Sequence, residues 1–235
     1  MDYQLFMREG RTCADLATPK PHLTPSQAAA QVISNRDTDL ISTSHTEFAR
    51  QLINQGCTVK RNSIAMTCNL TNQEITPRTI PNQTRFIEEV EPENLFISWN
   101  NAYGEDHPDH VTGEKQALID EHLKPLLDHS ELGPNHRSSI AVLENGTVIA
   151  AIIVSLREGQ PTMGGPWISE IWVDPDHQGK RIARYLIDQA QLTRQQDGFT
   201  SLGLAVTNGN PAKNLYATAG FTTVEEFWTL ILPTV

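Results

Sequence analysis

One stretch constrains the fold more than any other: Glu-Ile-Trp-Val-Asp-Pro-Asp-His-Gln-Gly-Lys-Arg-Ile-Ala over residues 170–183, an apolar strand running into a helix through a turn marked by Pro175 and Gly179. That geometry presents free backbone amides at a helix N-terminus, where unpaired donors and partial positive charge can cradle a pyrophosphate. Gly179 allows close backbone approach. Lys180, Arg181 and Arg184 supply local cations, which matter because 18 Lys and Arg stand against 28 Asp and Glu, a formal charge of -10. A field of that sign repels nucleic acid and anionic membranes, so neither is expected as a partner and a cationic or neutral acceptor is favoured.

A chain of 235 residues suits one complete domain and a partial one, and 38% hydrophobic with 20% charged residues is enough for a sizeable core. Cys13, Cys57 and Cys68 form no CxxC pair and read as free, mostly buried thiols of a reducing compartment. The longest apolar run, 148–154, is far short of a membrane span, and residues 1–11 lack the apolar core of a signal peptide. The expectation is a soluble cytoplasmic protein, monomer or homodimer.

Residues 1–78 read as a first unit: a Pro-containing polar stretch over 18–25, a helix over 45–55 stopped by Gly56, then a strand with Ile64, Met66, Cys68 and Leu70 on one face. Residues 71–82, with Pro77 and Pro81, mark the boundary to a second unit over 79–235. There the pattern predicts a strand (84–90), a helix (93–103) with Leu95, Phe96 and Trp99 at helical spacing, a polar turn (104–113), and a helix (114–129) shortened or kinked by Pro125. Apolar runs 138–143 and 147–156, joined by Glu144, Asn145 and Gly146, predict a hairpin. A Gly/Pro-rich turn (159–166) leads into the strand 167–173. A helix over 178–196 buries Ile182, Tyr185, Leu186 and Ala190 and sends Arg184, Asp188, Gln191 and Arg194 elsewhere. A strand (201–207) follows. The last helix has Asn210 as N-cap, Pro211 as first helical residue and Gly220 as stop, and a strand or hairpin over 221–232 closes the sheet. The fold class expected is a mixed α/β sheet with a small N-terminal partial α/β unit.

Residues 204–221 read Leu-Ala-Val-Thr-Asn-Gly-Asn-Pro-Ala-Lys-Asn-Leu-Tyr-Ala-Thr-Ala-Gly-Phe. Together with 170–183 they make this chain resemble the GNAT N-acetyltransferases. Val-Asp-Pro followed by Gln178-x-x-x-x-Ala183 is similar to that family's coenzyme A pyrophosphate loop, usually Arg/Gln-x-x-Gly-x-Gly/Ala, with Arg181 where glycine is usual. Asn210, Pro211, Ala212, Leu215, Tyr216, Gly220 and Phe221 are similar to its Asn-Pro-Ala and Leu-Tyr pattern. The resemblance covers about residues 84–232 and implies the GNAT fold, in which two strands splay apart and the pantetheine arm lies between them.

The resemblance further implies an acetyl-CoA-dependent N-acetyltransferase that acts by direct transfer to a primary amine of a small molecule or peptide, with acetyl-CoA as co-substrate and no metal. Tyr216 then stands where the general acid protonates the leaving thiolate, phenol and thiol pKa values of about 10 and 8.5 being close enough. Its other reading is core packing with Leu215 and Ala212. Glu170, or a water it holds, is the candidate base, since a glutamate in an apolar strand is costly without a function or partner; its facing is left open by a bulge common at this place. Ile171, Trp172 and Val173 lie along the pantetheine arm, with main-chain groups of Ile171 and Val173 offered to its amides. Gln178, Gly179, Lys180, Arg181, Ile182 and Ala183 surround the pyrophosphate, and Asn210 and Ala212 complete the cofactor contacts. Tyr103, Asp106, His107 and Asp109 follow a helix that borders the acceptor site in this family and are candidate substrate contacts. The rival reading is a non-catalytic acyl-CoA-binding or regulatory module.

His107-Pro-Asp-His110 has the density of a metal site, yet two histidines in a polar, Pro-containing loop more often form a turn, and no metal is expected. Phe-Ala-Arg-Gln-Leu-Ile-Asn-Gln-Gly over 48–56, followed by a strand, resembles the last helix-Gly-strand of the same fold, with Leu52 where Tyr216 falls. A degenerate second GNAT-like half and an unrelated extension both account for it.

Overall fold

Asn145 and Gly146 both adopt positive φ, 51° and 82°, the conformation a two-residue hairpin turn requires. The flanking runs pair antiparallel as the sequence predicts. The computed structural model describes residues 2–8, 11–35, 37–71, 73–76, 78–128, 133–157 and 165–233. The expected turn over 159–166 lies almost wholly outside these residues, as do Pro77 and His129.

The chain opens with strands β1 (Asp2–Arg8) and β2 (Arg11–Thr18), helix α1 (Pro25–Asn35), strand β3 (Leu40–Thr43), helix α2 (Thr46–Asn54) and strand β4 (Thr58–Asn69). Strand β5 (Gln83–Phe86), a 3-10 turn (Ile87–Glu89) and helix α3 (Pro92–Ala102) follow. Then come α4 (Lys115–Leu118), a π-helical turn (Ile119–Leu123) and α5 (Lys124–Leu127). The remainder is β6 (Ile140–Glu144), β7 (Thr147–Arg157), β8 (Gly165–Val173), a 3-10 turn (Pro175–His177), α6 (Ile182–Gln196), β9 (Ser201–Thr207), α7 (Ala212–Thr218) and β10 (Thr222–Ile231).

Contacts divide the chain into two compact units, Met1–Ala65 with Thr223–Val235, and Met66–Thr222. The break falls inside β4 instead of in the 71–82 stretch, and the final strand belongs to the first unit. The reason is strand pairing: β10 runs antiparallel to β3, with Ile231 opposite Leu40 and Trp228 opposite Thr43.

In the first unit the strand order is β1-β2-β3-β10. Phe48, Ala49 and Leu52 of α2, Ala28 and Ala29 of α1, and Ile41 and Leu230 form its apolar core. The sequence reading missed β1, β2, α1 and β3. A signal for α1 was present, because Thr24 Oγ1 accepts from the Gln27 amide at 3.2 Å while Gln27 Oε1 accepts from the Thr24 amide at 3.0 Å, a capping box. Helix α2 matches expectation, with His45 Nδ1 capping the Phe48 amide at 3.2 Å and Gly56 beyond its end at φ 100°.

The second unit holds the order β9-β8-β7-β6-β5, antiparallel except for β8 and β9, which run parallel. Leu95 and Trp99 of α3 pack with Leu118, Ile119 and Leu123 against Ala151, Ile153 and Trp172. Pro125, which has no N–H to offer, lies two residues past the end of the π turn, so the helix is locally widened and continues to Leu127.

Helix α6 departs from expectation twice. It begins at Ile182, leaving 178–181 as a turn. Beside the anticipated Ile182, Leu186 and Ala190 it also buries Asp188, Gln191 and Arg194. Each has a tertiary reason. Asp188 pairs with Arg78 and with Arg184; Gln191 Nε2 donates to the Ala219 carbonyl at 2.7 Å; and the Arg194 guanidinium lies over the Phe199 ring, 4.8 Å from its centroid. Burial lowers the Arg194 pKa to about 10.

Candidate active site

The parallel ladder between β8 and β9 pairs Trp167 with Gly203 and Ile168 with Leu204. None of its pairs among the described residues lies beyond those two. On the other side of β8 the pairing with β7 continues through Glu170, Ile171, Trp172 and Val173, after a bulge that sets Ile153 opposite Glu170 but Val154 opposite Ile168. Past Ile168, then, β8 keeps one neighbour and gives up the other.

Antiparallel alternation decides which main-chain groups this opens. The Asp174 amide donates to the Ile149 carbonyl at 2.8 Å, so Glu170 and Trp172 turn their N–H and C=O toward β7, while those of Ile171 and Val173 turn toward the opening. Side chains confirm the direction: the Ile171 carbonyl faces the Tyr103 hydroxyl at 3.5 Å, and the Val173 carbonyl accepts from Gln178 Nε2 at 3.3 Å. Trp172, expected along the ligand arm, is instead core. Its main chain serves β7 and its indole Nε1 donates to Ser98 Oγ at 2.9 Å.

At the end of β8, Asp174 Oδ1 accepts from the Asp176 amide at 3.1 Å and Oδ2 from Asn101 Nδ2 at 2.9 Å, which holds the 3-10 turn. Gln178, Gly179, Lys180 and Arg181 follow, all exposed, and Ile182 and Ala183 open α6. Gly179 has φ 75°, and a Cβ there would meet nothing within 4 Å, so its surface is open. Arg181 has φ 64°, a left-handed conformation that explains why glycine is usual at this position. Arg184, counted among the local cations, is engaged elsewhere: Nε donates to Asp188 and Nη1 to the Thr218 carbonyl, both at 2.8 Å. Lys180 and Arg181 are left to serve the loop.

Beyond β9, Asn210 Oδ1 accepts from the Ala212 amide at 2.9 Å. The helix itself starts at Ala212 with Pro211 in the cap position, one residue later than expected. Tyr216 is buried, its ring 6.2 Å from that of Phe221. Gly220 ends the helix at φ 91°.

Groups from four segments, the end of α3 with its following loop, β8, the end of β9 and the residues from Asn210 to Tyr216, converge on the opening. The Tyr103 hydroxyl, at the end of α3, donates to Glu170 Oε1. Glu170 shares its face of β8 with Trp172, the face α3 covers, which answers the question the bulge had left open. Asp109 Oδ1 accepts from Thr207 Oγ1 at the end of β9, at 2.5 Å. His107 packs edge-on to Tyr103 with centroids 4.8 Å apart and puts Nε2 3.4 Å from Asn210 Nδ2. Burial raises the Tyr216 phenol above its ordinary value of 10, and the Glu170 and Asp109 carboxylates push it further. Tyr103 is raised for the same reasons, burial first and then Glu170. Burial lowers His107, against the pull of Asp109.

The structure thus brings Tyr103, His107, Asp109, Glu170, Asn210 and Tyr216 together, and leaves Asp106 exposed, outside the contacts that join them. The sequence reading missed Thr207 and weighed His110 only as a metal ligand; the latter places Nδ1 2.6 Å from the Tyr103 carbonyl. Only Asp174 before Pro175, a turn signal, could have been found locally. The His107 and His110 rings engage Tyr103 and Asn210, and among the described residues no group of three or more His, Cys, Asp or Glu could hold a metal ion.

The mixed α/β sheet is the fold shared with GNAT acetyltransferases. Similar structures include the GCN5-related N-acetyltransferase from Sphaerobacter thermophilus (TM-score 0.58, 17% identity, 83% of this chain and 61% of that one). Another is a GNAT-family acetyltransferase from Colwellia psychrerythraea (0.58, 16%, 97% and 84%). A third is a tandem GNAT protein from the clavulanic acid biosynthesis pathway (0.53, 13%, 89% and 69%). At these identities the likeness is one of fold, and this chain spans less than two thirds of the Sphaerobacter protein. No curated protein matches the sequence. Residues 136–223 match the family model of the acetyltransferase (GNAT) domain.

Proposed function

We propose that this protein transfers an acetyl group from acetyl-CoA directly to a primary amine. The observation that carries this reading is the ended β8–β9 ladder, with Ile171 and Val173 main-chain groups on its open side and Glu170 and Tyr216 beside it. The open surface at Gly179 and the free amides at the start of α6 fit a pyrophosphate.

The bound acetyl-CoA supplies a thioester, whose acetyl group is transferred and whose sulfur leaves. The Ile171 and Val173 groups align the pantetheine arm as a neighbouring strand would. Gln178 to Ala183 hold the pyrophosphate, with Lys180 and Arg181 adding charge. Glu170, directly or through a water, takes the proton of the attacking amine. Tyr216 returns a proton to the sulfur. Burial widens the gap between the phenol and a free thiol, and any desolvation of the thiolate formed beside it acts in the direction of proton transfer. The Glu170 and Asp109 carboxylates favour an acceptor that arrives as an ammonium ion.

A free-thiol assay with acetyl-CoA across amino acids, polyamines, aminoglycosides and peptide N-termini tests the reading, with coenzyme A binding followed by calorimetry. Thiol release with at least one amine is expected. Stoichiometric binding with no release across the panel would instead favour a non-catalytic acyl-CoA-binding module, a reading for which the strained Arg181 leaves room.

A further inference from the structure

The contact between Tyr103 and Glu170 joins the end of α3 to the middle of β8 across 67 residues of sequence. We infer that Tyr103 is a positioning residue for the proposed transfer: its hydroxyl donates to the Glu170 carboxylate and holds it aimed at the opening. The inference rests on the function proposed above.

Three observations support it. The phenol is the donor and cannot readily be otherwise, because burial and the Glu170 charge both hold its proton on. A donor that stays protonated stabilises the charged form of its acceptor. Tyr103 is also held from several sides, through its ring and its main chain. Trp99 lies 5.5 Å away, His107 packs edge-on at 4.8 Å, and His110 Nδ1 meets the Tyr103 carbonyl at 2.6 Å. Finally, the hydroxyl lies 3.5 Å from the Ile171 carbonyl, one of the main-chain groups turned to the opening, so the contact is made at its edge. Tyr216 from α7 and Asp109 from the loop after α3 also act on Tyr103, and His107 and His110 of the same loop touch its ring and its carbonyl; the residue opposite Glu170 on β7 is the apolar Ile153. Tyr103 itself needs to reach no reacting atom.

A residue acting only through Glu170 has a signature that a packing role lacks. Tyr103→Phe keeps the ring and its contacts and removes only the donor. It is expected to lower kcat about 10-fold while leaving the affinity for acetyl-CoA within about 2-fold, whereas Glu170→Gln lowers kcat by about 100-fold or more. In the Glu170→Gln background the further change Tyr103→Phe should alter kcat by less than about 2-fold, because the cycle measures coupling. Equal losses in both backgrounds, or a fully active Tyr103→Phe beside an inactive Glu170→Gln, would overturn the inference. Full turnover by Glu170→Gln alone would instead remove the base assignment itself. If Tyr103→Phe does not fold, difluorotyrosine at position 103, which retains both ring and donor, is compared with the parent protein: its more acidic hydroxyl must change kcat in the parent and not in Glu170→Gln, and an equal response in both overturns the inference.

Discussion

Thr207, the last residue of β9, donates its hydroxyl to Asp109 at 2.5 Å, while the Asp109 amide donates to His107 Nδ1 at 3.1 Å. The loop after α3 is therefore tied to the strand that parts from β8, and a carboxylate is fixed at the mouth. If Asp109 attracts the acceptor, Asp109→Asn keeps the Thr207 contact and removes the charge. The KM for a cationic amine should rise about 10-fold, the size of one hydrogen bond to a charged group, with acetyl-CoA affinity unchanged. Steady-state kinetics at varied amine checks this, and an unaltered KM counts against Asp109 as an acceptor contact.

Tyr216→Phe preserves the packing on Phe221 and removes the proposed acid. The expected loss in kcat is about 100-fold, with coenzyme A binding within about 2-fold by calorimetry. Full turnover would remove Tyr216 from the chemistry. The pH dependence has a definite sign. Because burial and two carboxylates raise this phenol, it remains protonated as pH rises, and kcat should show no decline from Tyr216 ionisation up to about pH 10.

Arg181 holds φ at 64°, which costs a non-glycine residue about 1 kcal/mol. Arg181→Gly should relieve the strain, offset in part by the greater freedom of glycine in the unfolded chain, and raise Tm by about 1–3 °C. The same change removes a cation from the loop. Acetyl-CoA affinity should fall and depend less on salt. Greater stability together with weaker binding is the expected pair of results; unchanged binding would exclude Arg181 from the pyrophosphate contacts.

Gly203 pairs with Trp167 in the ladder to β8, one pair before it ends at Ile168 and Leu204. A Cβ there would lie 2.5 Å from Cε3 and 2.6 Å from Cζ3 of Trp167, far inside contact distance. Gly203→Ala must displace a buried indole and should destabilise the protein by about 1–3 kcal/mol, read from chemical unfolding. It should also weaken coenzyme A binding, since Trp167 forms one of the last pairs before the strands part.

Much of this could be read locally. The Asn145-Gly146 hairpin, the β9 alternation of Leu202, Leu204 and Val206, and the Gly220 stop each rest on a few neighbouring residues whose backbone preferences agree with the fold. The α6 stripe was legible only in its apolar part. Asp188, Gln191 and Arg194 look like solvent residues by periodicity and are buried because Arg78, the Ala219 carbonyl and the Phe199 ring are brought to them from elsewhere in the chain.

The same division runs through residues 170–183. By itself the sequence determined that an apolar strand meets a helix N-terminus through a Pro- and Gly-marked turn, because φ limits and unpaired amides are properties of the residues in place. Only the tertiary structure decided that Glu170 faces α3, that Tyr103 holds it, that Trp172 is core, and that β9 leaves β8 after Ile168. Those outcomes depend on one bulge residue in β8 and on partners up to 74 residues away, and a strand's side-chain facing reverses with every inserted residue.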